Sequence, residues 1–277
     1  MSIIEAIIIG IIQGLTEFLP ISSTAHMTLF GDLMGLIDHQ NPESWTAFIA
    51  TVQLGTLASV LIYFWKDLVL IMGDFLKFNI GSSRVEYKKQ SFNSKLAWYV
   101  IIGTIPIVTI GLLLKKIIEG DATKSPIVIA ISLMFFALIL FISDRKNKQE
   151  REFEKIRMID SIIMGLMQCL ALIPGASRSG TTMTGGFFRN LKRDAAARFS
   201  FLLSIPAVLA SGLLEFYKSI QYLTSDNLFM LIVSIIVAFI VGYISIGFLL
   251  KYLKTNSTFL FVVYRIILGL GILLYFV

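Results

Sequence analysis

The stretch Pro174-Gly175-Ala176-Ser177-Arg178-Ser179-Gly180-Thr181-Thr182 interrupts an otherwise apolar part of the chain. No charged residue lies between Ile162 and Pro174, and the next charge after Arg178 is Arg189. An arginine inside a membrane is costly and faces protein or water, so its presence indicates a functional site. Glycine and hydroxyl residues at a helix start present backbone N–H groups to an anion. The stretch therefore predicts a phosphate-binding break within a membrane helix.

The composition of the whole chain agrees with a polytopic membrane protein. The 277 residues are 56% hydrophobic and only 15% charged, with a mean hydropathy of +0.81. The single cysteine, Cys169, excludes an intrachain disulfide and a cysteine-based metal cluster. The sequence pI of about 9.3 reflects basic residues that flank apolar segments, which indicates contact with anionic membrane lipid and no nucleic-acid partner.

Six apolar stretches are long enough to span a membrane: 46–65, 96–114, 126–143, 198–217, 228–250 and 259–277. Two further stretches, 3–35 and 159–188, are broken by Gly, Pro and clustered hydroxyl residues. Broken backbone at membrane depth is tolerated only where it is buried in protein or lines a cavity. We therefore predict an all-α, polytopic membrane protein with six transmembrane helices and two re-entrant helical hairpins.

The two halves of the chain resemble each other in sequence. Three pairs of segments match in order, at offsets of 155, 154 and 152: 10–15 with 165–170, 20–23 with 174–177, and 57–66 with 209–218. Chance matching between apolar segments is the alternative interpretation. A repeat predicts one membrane domain, 1–277, with a first repeat at 1–143 and an inverted second repeat at 158–277. Such repeats place a site near the midplane, where the broken helices meet.

The distribution of Lys and Arg independently supports the inversion. With the N-terminus outside, the segments 66–95, 144–157, 189–198 and 251–257 are cytoplasmic and together hold 18 basic residues. The outer segments 32–45, 115–125 and 218–227 hold 4. Each half contributes a hairpin and an odd number of spans, so the second half has to be inverted, as this asymmetry also requires.

The first break carries its own polar side chains. Gln13 and Glu17 lie four residues apart on one helix face, and Ser23 and His26 share a face if a helix restarts after Pro20. We interpret Glu17 as a metal ligand or a general base, and the alternative is that it forms an ion pair with an intramembrane arginine. His26 is a catalytic candidate, although a lone histidine is often a satisfied core residue.

The second break offers donors for phosphate oxygens. Arg178 supplies a planar fork that suits a phosphate group. Hydroxyl and backbone groups that could join it are those of Ser177, Ser179, Gly180 and Thr182. Helix capping and small-residue packing are the alternative roles for these residues. Arg265 is expected to be a structural partner of a carboxylate, and His39, in a polar loop, is expected to be solvated.

The residues do not assemble the familiar phosphatase nucleophiles. Cys169 stands too far before Arg178 for a cysteine phosphate loop, and no Asp-x-Asp pair is present. A phosphohistidine route of the lipid-phosphatase type needs two histidines in separate motifs, and only His26 is suitably placed. The attacking group is therefore expected to be a hydroxyl or a water, activated by His26 or Glu17.

At two motifs the chain resembles the undecaprenyl-diphosphate phosphatase family, bacterial membrane enzymes linked to bacitracin resistance. The motifs are Gln13-Gly14-Leu15-Thr16-Glu17-Phe18-Leu19-Pro20-Ile21-Ser22-Ser23-Thr24, followed by His26, and Pro174-Gly175-Ala176-Ser177-Arg178-Ser179-Gly180. The resemblance implies hydrolysis of the terminal phosphate of undecaprenyl diphosphate, which yields the monophosphate carrier lipid for peptidoglycan synthesis. It also implies that bacitracin competes for the substrate.

The same resemblance implies roles for individual residues. Ser23 looks like the nucleophile, His26 its proton-transfer partner, Glu17 a metal or base group, and Arg178 the diphosphate clamp. Ser22 and Thr24 would join the phosphate site. A divalent cation, Mg²⁺ or Ca²⁺, would bind Glu17 and Gln13. Many family members have Glu where this chain has Gln13, so the number of ligands stays open, as does attack by Ser23, His26 or water.

The resemblance further places the protein in the bacterial plasma membrane, with the site opening to the outer face. A homodimer is one candidate assembly, and the sequence leaves the oligomeric state open. Two other classes fit the pattern of broken helices. One is a transporter or flippase of a phosphorylated isoprenoid lipid, because inverted repeats and broken helices are transporter features. The other is a non-catalytic lipid-binding scaffold.

Overall fold

A computed structural model describes residues 1–37, 42–80, 84–114, 125–219 and 225–276, and most of these are helical. The α-helices, numbered along the chain, are α1 Ile3–Phe18, α2 Ser23–Leu33, α3 Pro42–Tyr63, α4 Trp65–Asn79, α5 Phe92–Leu113, α6 Pro126–Lys146, α7 Met158–Cys169, α8 Arg178–Phe188, α9 Arg193–Ser219, α10 Ser225–Leu253 and α11 Phe259–Phe276. Within the described ranges there is no β-strand, only an isolated bridge between Arg151 and Leu191. His39 lies outside the described residues, as does most of the predicted outer segment 115–125.

In the described part of the chain, six helices are long and apolar enough to cross a membrane: Ser44–Tyr63, Phe92–Leu113, Pro126–Lys146, Arg193–Tyr217, Leu228–Leu253 and Phe259–Phe276. Each coincides with one of the six predicted stretches. The all-α class and the six candidate spans are therefore confirmed. The length of these helices matches the requirement of about 20 residues for crossing a bilayer.

One helix was missed by the sequence analysis, which treated 66–95 as a single inner connection. The structure has α4 there, beginning at Trp65 immediately after a bend at Phe64. Apolar side chains such as Val69 and Met72 are exposed on α4, while Lys66 and Asp67 stand beside them in sequence. Because this amphipathic pattern continues directly from an apolar span, the sequence gives no signal that separates the two helices.

The two broken segments share one backbone design. At an offset of 155 residues, the start of α1 corresponds to the start of α7, and both ends of α2 correspond to those of α8. Ser22 and Ser177 precede α2 and α8, and their φ angles of 73° and 70° are nearly identical. Each serine Oγ accepts from a backbone N–H three residues later, that of Ala25 and of Gly180. The sequence match had paired Ser23 with Ser177, whereas the shared cap and positive φ pair Ser22 with Ser177.

Each broken segment packs against a span from the other half of the chain. Helix α1 lies along α10, and the corresponding helix α7 lies along α5. Corresponding glycines mark these contacts: a Cβ on Gly10 would lie 2.7 Å from the Ser234 carbonyl oxygen, and one on Gly165 would collide with Gly103. Helix α3 packs on α9, and α6 packs on α11. This crossed arrangement brings the two breaks together.

Candidate active site

An ion pair joins the two breaks at their closest approach. Arg178, the first residue of α8, donates through Nη2 to Oε1 of Glu17, in the last turn of α1. Ser179 Oγ also donates to the Leu19 carbonyl oxygen, at 3.2 Å. The Glu17 side chain is 4% exposed and that of Arg178 is 21% exposed. The ion pair considered for Glu17 is thus present, with Arg178 as its partner, and the arginine retains access to solvent or ligand.

Gln13 fixes the second oxygen of Glu17. Its Nε2 donates to Glu17 Oε2 at 2.8 Å, as the spacing of four residues predicted. The Gln13 side chain is fully buried, and its Oε1 has no hydrogen-bond partner among the described residues. A buried oxygen acceptor without a donor is uncommon and calls for an explanation. It provides one free oxygen beside the carboxylate.

Two helix starts meet at this point with unused backbone donors. Ser22 and Ser177 cap the third N–H of their helices. The described contacts give no protein partner to the N–H groups of the first two residues of α2 and of α8. Helix starts carry partial positive charge, so two of them side by side favour an anion. Both capping serines have a backbone conformation that residues with a Cβ rarely adopt, with ψ of 97° at Ser22 and 112° at Ser177, and such strain is typical of functional sites.

A cavity of about 860 Å³ opens beside the ion pair. Its polar end comprises Glu17, Ser22, Ser23, Thr24, Ser177 and Arg178. Most of the remaining wall is apolar and comes from α3, α5, α6 and α9, including Ile49, Leu112 and Leu214. A pocket that is mainly apolar with a few convergent polar groups is the usual form of a small-molecule site.

Three predicted phosphate-binding residues do not line the cavity. Thr182 is fully buried, and its hydroxyl donates to the Arg178 carbonyl oxygen at 2.8 Å. Ser179 is likewise buried and uses its hydroxyl on Leu19. Gly180 faces the guanidinium of Arg265, because a Cβ on this glycine would lie 3.1 Å from Arg265 Nη1. Helix packing and capping, the alternative roles, therefore describe the side chains of these residues in the structure.

His26 is held by protein groups on both ring nitrogens. Nδ1 lies 2.7 Å from the Ser22 carbonyl oxygen, and Nε2 lies 2.6 Å from the Tyr264 hydroxyl. A carbonyl only accepts, so Nδ1 carries the proton and Nε2 of a neutral ring accepts from Tyr264. The histidine is 3% exposed and does not line the cavity. The structure brings it beside the turn that precedes Ser23 but gives it no hydrogen bond to Ser23.

Among the described residues, Arg265 does not pair with a carboxylate, contrary to expectation. Its Nη2 donates to the carbonyl oxygens of Gly175 and Ala176 at 3.1 and 3.0 Å. Its Nη1 lies 3.5 Å from the Pro20 carbonyl oxygen. The residue is completely buried between the two breaks. Backbone carbonyls at turns cannot be read from side-chain identity, which is why the sequence did not disclose these partners.

Several cavity residues were missed by the sequence analysis. Thr28 and Asp32 follow Thr24 on α2 at intervals of four residues, and all three line the cavity. Gln53 of α3 lines it as well. The spacing on α2 was a usable signal, because polar residues repeating every four positions on an apolar helix indicate one hydrated face. Tyr264 offered no comparable signal beyond its position next to Arg265.

A preformed metal cage is not present in the described residues: no three His, Cys, Asp or Glu side chains converge there. The donors that do fit a hard cation are the Glu17 carboxylate and the partnerless Oε1 of Gln13. Mg²⁺ is commonly bound by one or two carboxylates together with substrate phosphates. Glu17 lines the cavity, whereas the fully buried Gln13 does not, so Glu17 is the protein ligand accessible to a cation that a phosphorylated ligand would share.

Comparison with known proteins identifies the family. The family model described as "Bacitracin resistance protein BacA" matches residues 6–271. The chain belongs to this family. It is 50% identical over 277 residues to the undecaprenyl-diphosphatase of Syntrophobacter fumaroxidans, covering 100% of this chain and 98% of that relative. It is 46% identical over 283 residues to the undecaprenyl-diphosphatase of Chlorobaculum tepidum, covering 99% and 96% of the two chains. The undecaprenyl-diphosphatase of Prosthecochloris aestuarii is 48% identical over 282 residues, with coverage of 99% and 96%.

Proposed function

We propose that this BacA family member is a membrane hydrolase that removes the terminal phosphate of undecaprenyl diphosphate. The single observation that carries this proposal is the Glu17–Arg178 pair between two helix starts, at the polar end of an otherwise apolar cavity. A lipid with a charged headgroup and an apolar tail matches a cavity whose wall is polar at one end and apolar elsewhere. Full-length relatives named undecaprenyl-diphosphatase support the same substrate. The product, undecaprenyl phosphate, is the carrier lipid for peptidoglycan synthesis.

Binding of the diphosphate rearranges the ion pair. Arg178 is partly exposed, and its guanidinium can donate to phosphate oxygens in place of the carboxylate. The free N–H groups at the starts of α2 and α8 would bind further oxygens. Glu17 then faces a highly charged anion, and that repulsion has to be offset by a proton or a cation. Ser22, Ser23, Thr24 and Ser177 contribute hydroxyl groups at the same end of the cavity.

We propose Ser23 as the attacking group, because its hydroxyl lines the cavity at the start of α2. Ser23 Oγ forms a bond to the terminal phosphorus while the bridging P–O bond breaks, and undecaprenyl phosphate leaves. Water then cleaves the phosphoserine and releases inorganic phosphate. Two groups can take the serine proton. Glu17 lines the same cavity, whereas His26 accepts only after its Nε2 separates from Tyr264. Direct attack by water, without a phosphoenzyme, is the competing route.

A divalent cation, Mg²⁺ or Ca²⁺, is part of the proposal. Glu17 and Gln13 Oε1 would hold it together with diphosphate oxygens. When bound, such a cation neutralises charge on the phosphate groups. Gln13 already orients Glu17 through its amide nitrogen, which leaves its oxygen for the metal. We therefore expect Gln13→Ala to raise the cation concentration required for activity, and a cation titration would measure this.

We also propose that the broken segments are re-entrant hairpins of two inverted repeats, 1–143 and 158–277, within one membrane domain. The common offset of 155 and the crossed packing support this proposal. The basic asymmetry supports an N-terminus outside. In that topology five of the six spans line the cavity with residues of their outer ends, which include Trp45, Leu112, Pro126, Leu214 and Phe276. The cavity would therefore open to the outer face of the bacterial plasma membrane.

Single cysteines would measure this topology in a Cys169→Ser background. Lys148, between α6 and α7, and Tyr275, at the end of α11, are both exposed. We expect an impermeant thiol reagent to label Tyr275→Cys in intact cells and Lys148→Cys only after the membrane is opened. Labelling of both from the same side would contradict the proposed topology.

Phosphate release by the purified protein in detergent micelles tests the catalytic proposal. We expect one inorganic phosphate and one undecaprenyl phosphate, identified by mass spectrometry, for each diphosphate lipid consumed. The control is Arg178→Ala at equal concentration. Micelles have no second compartment, so a transporter or a lipid-binding scaffold would release no phosphate. Absence of release from the folded protein with Mg²⁺ or Ca²⁺ would contradict the proposal.

Two further proposals concern partners. Bacitracin would compete with the enzyme for undecaprenyl diphosphate, so added peptide should raise the substrate concentration needed for half-maximal phosphate release. A homodimer stays a prediction, which the mass of the detergent-solubilised protein, measured by light scattering after size exclusion, would decide. The membrane itself would hold the isoprenoid tail beyond the cavity.

A further inference from the structure

We infer that Arg265 is a positioning residue that locks both breaks together and whose buried charge is balanced by the diphosphate of the substrate. The inference rests on the proposed function and extends it to a residue that does not line the cavity. It is carried by the contacts of one side chain, which is completely buried in α11 and reaches the backbone of both turns.

Arg265 holds backbone carbonyl groups of both breaks. Its guanidinium bonds carbonyl oxygens at Pro20 in the first break and at Gly175 and Ala176 in the second. These carbonyls lie just before α2 and α8, next to the residues whose N–H groups are free. A carbonyl oxygen repels phosphate, so bonding all three to one guanidinium keeps them from turning toward an anion. Arg265 thus preserves the polarity of both helix starts.

The charge of Arg265 is not balanced by a described protein group. Among the described residues, Arg265 forms no ion pair, and its Nε has no hydrogen-bond partner. An arginine stays protonated in proteins, and an unbalanced buried charge is strongly unfavourable. The other intramembrane arginine, Arg178, is balanced by Glu17. A diphosphate in the adjacent cavity brings more negative charge than Arg178 alone neutralises, so it also balances Arg265.

Gly180, a residue of the second motif, lies against the Arg265 guanidinium. A Cβ on Gly180 would lie 3.1 Å from Arg265 Nη1, closer than ordinary contact. Glycine at this position therefore makes room for the guanidinium, although its sequence context suggested a phosphate-binding role. Tyr264, the preceding residue of α11, bonds His26. Two consecutive residues of α11 thus fasten the turns that carry Ser23 and Arg178.

The test separates positioning for an anion from simple structural support. We would measure the thermal midpoint in detergent, its rise with methylenebisphosphonate, and the kinetics with undecaprenyl diphosphate. For Arg265→Met we expect little change in the ligand-free midpoint, because removal of an unbalanced buried charge offsets the loss of the donor to three backbone carbonyl oxygens. The ligand-induced rise should fall below a quarter of its parent value, and kcat/KM should fall by about a hundredfold.

The matched control is Arg193→Met. Arg193 pairs with Asp144, whose other oxygen is bonded by Thr258, far from the cavity. This variant should lower the ligand-free midpoint and keep the parent's ligand-induced rise. Arg265→Lys, which retains the charge without the fork, should recover at least half of that rise while turnover stays low. A methionine variant that behaves like Arg193→Met would overturn the inference.

Gly180→Ala covers the case in which Arg265→Met does not fold. It retains every charge and places a Cβ 3.1 Å from the guanidinium and 3.3 Å from the Ser177 side chain, so KM should rise by about tenfold with a smaller change in kcat. A Gly180→Ala protein with parent kinetics and the parent ligand-induced rise would also overturn the inference. Loss of phosphate release by the parent protein itself would instead contradict the proposed function, because the midpoint measurements require no turnover.

Discussion

The two breaks have the same backbone and different chemistry. Ser22 and Ser177 occupy corresponding positions, with the same positive φ and the same capping bond. At the same offset, however, Glu17 corresponds to Leu172, Ser23 to Arg178 and His26 to Thr181. The first break supplies the carboxylate of Glu17 and the candidate nucleophile Ser23, and the second supplies the positively charged guanidinium of Arg178. One arrangement of helix starts thus provides two complementary halves of a single site.

The difference extends along the helices that follow the breaks. Thr28 and Asp32 of α2 line the cavity, while their counterparts on α8, Met183 and Phe187, are buried in the core. The polar stripe on α2, which consists of Thr24, Thr28 and Asp32, therefore exists only on the side of the molecule where the cavity opens. A transporter needs access from both sides of its site, and the α8 side of this structure is packed. The comparison consequently favours an enzyme with one-sided access.

An ion-pair network holds the packed side together. Arg151 and Arg189 both donate to the buried carboxylate of Asp160, at 2.9 and 2.8 Å from Oδ1. Burial alone would raise the pKa of Asp160, but hydrogen bonds from Arg151, Arg189 and the Arg157 backbone outweigh it and lower this pKa. The network joins the loop before α7 to the end of α8. The corresponding residue at the start of α1 is Glu5, which is part of an exposed capping box.

The largest effect is expected from removal of the Ser23 hydroxyl, which has no equivalent at the corresponding residue Arg178. Ser23→Ala should lower kcat by about a thousandfold or more while substrate binding persists, because Arg178 and the helix starts still hold the diphosphate. Phosphate release and lipid binding would be measured separately. The matched control is Thr24→Val, which changes the neighbouring hydroxyl on the same wall.

Two results would redirect the mechanism. Substantial activity in Ser23→Ala would rule out serine attack and favour water, without a phosphoenzyme. His26→Ala should be nearly as inactive as Ser23→Ala, and the double variant hardly worse than either, if the two residues act as a unit. Tyr264→Phe then assigns the proton. It should keep or raise activity if His26 Nε2 is the acceptor, and it should lower activity if the histidine only supports the turn.

The second largest effect concerns stability on the packed side. Asp160→Asn leaves two arginines without their carboxylate, so the free energy of unfolding should fall by about 3–5 kcal/mol. The pKa of Asp160 is lowered in the folded protein, so its contribution is fully present above the unfolded value and is lost as pH falls through the folded pKa. The thermal midpoint of Asp160→Asn should therefore lie well below that of the parent at about pH 7 and approach it at about pH 3.

Glu152→Gln is the control for that measurement. Glu152 pairs with Lys192 on the exposed surface of the same loop region, and its loss should leave the midpoint unchanged. An Asp160→Asn protein as stable as Glu152→Gln would show that the network does not hold the packed side. An unchanged difference between parent and Asp160→Asn at every pH would contradict the carboxylate as its source.

The comparison also shows what the sequence could predict. Apolar length predicted the six candidate spans, and clustered Gly, Pro and hydroxyl residues predicted both breaks. The isolated charges Glu17 and Arg178 could be expected to meet, because a lone intramembrane charge seeks a partner. These features can be predicted because an interrupted helix or a lone charge has a high energetic cost in a membrane, whatever side chains pack around it.

The remainder depended on contacts that side-chain identity does not encode. Lipid-facing and core-facing side chains are both apolar, so periodicity could not show that Met183 is buried while Leu112 lines the cavity. The partners of Arg265 are backbone carbonyls, which every residue possesses. Ser179 and Thr182 have the residue types of an anion site, but helix geometry directs their hydroxyls to carbonyl oxygens.

A smaller effect is expected when Arg178 of the second break is replaced by lysine, which keeps the positive charge but lacks the planar guanidinium. Arg178→Lys retains the ion pair with Glu17 but cannot donate a fork to the diphosphate, so kcat/KM should fall by about tenfold, or about 1.4 kcal/mol. Steady-state phosphate release measures it. Near-parent activity in the lysine variant would refute the bidentate clamp, whereas loss of folding in Arg178→Lys would be visible in the thermal midpoint.

The smallest effect is expected from the polar stripe that distinguishes α2 from α8. Thr28→Val removes a hydroxyl from the cavity wall and preserves its shape, so it should cost one hydrogen bond to water or phosphate and lower kcat/KM by about threefold. Thr184→Val is the control, because that hydroxyl donates to the Gly180 carbonyl oxygen inside α8, away from the cavity. Equal activity of the two variants would mean that the α2 stripe is incidental. A selective decrease in Thr28→Val, with an unchanged thermal midpoint, would tie the open side of the molecule to its chemistry.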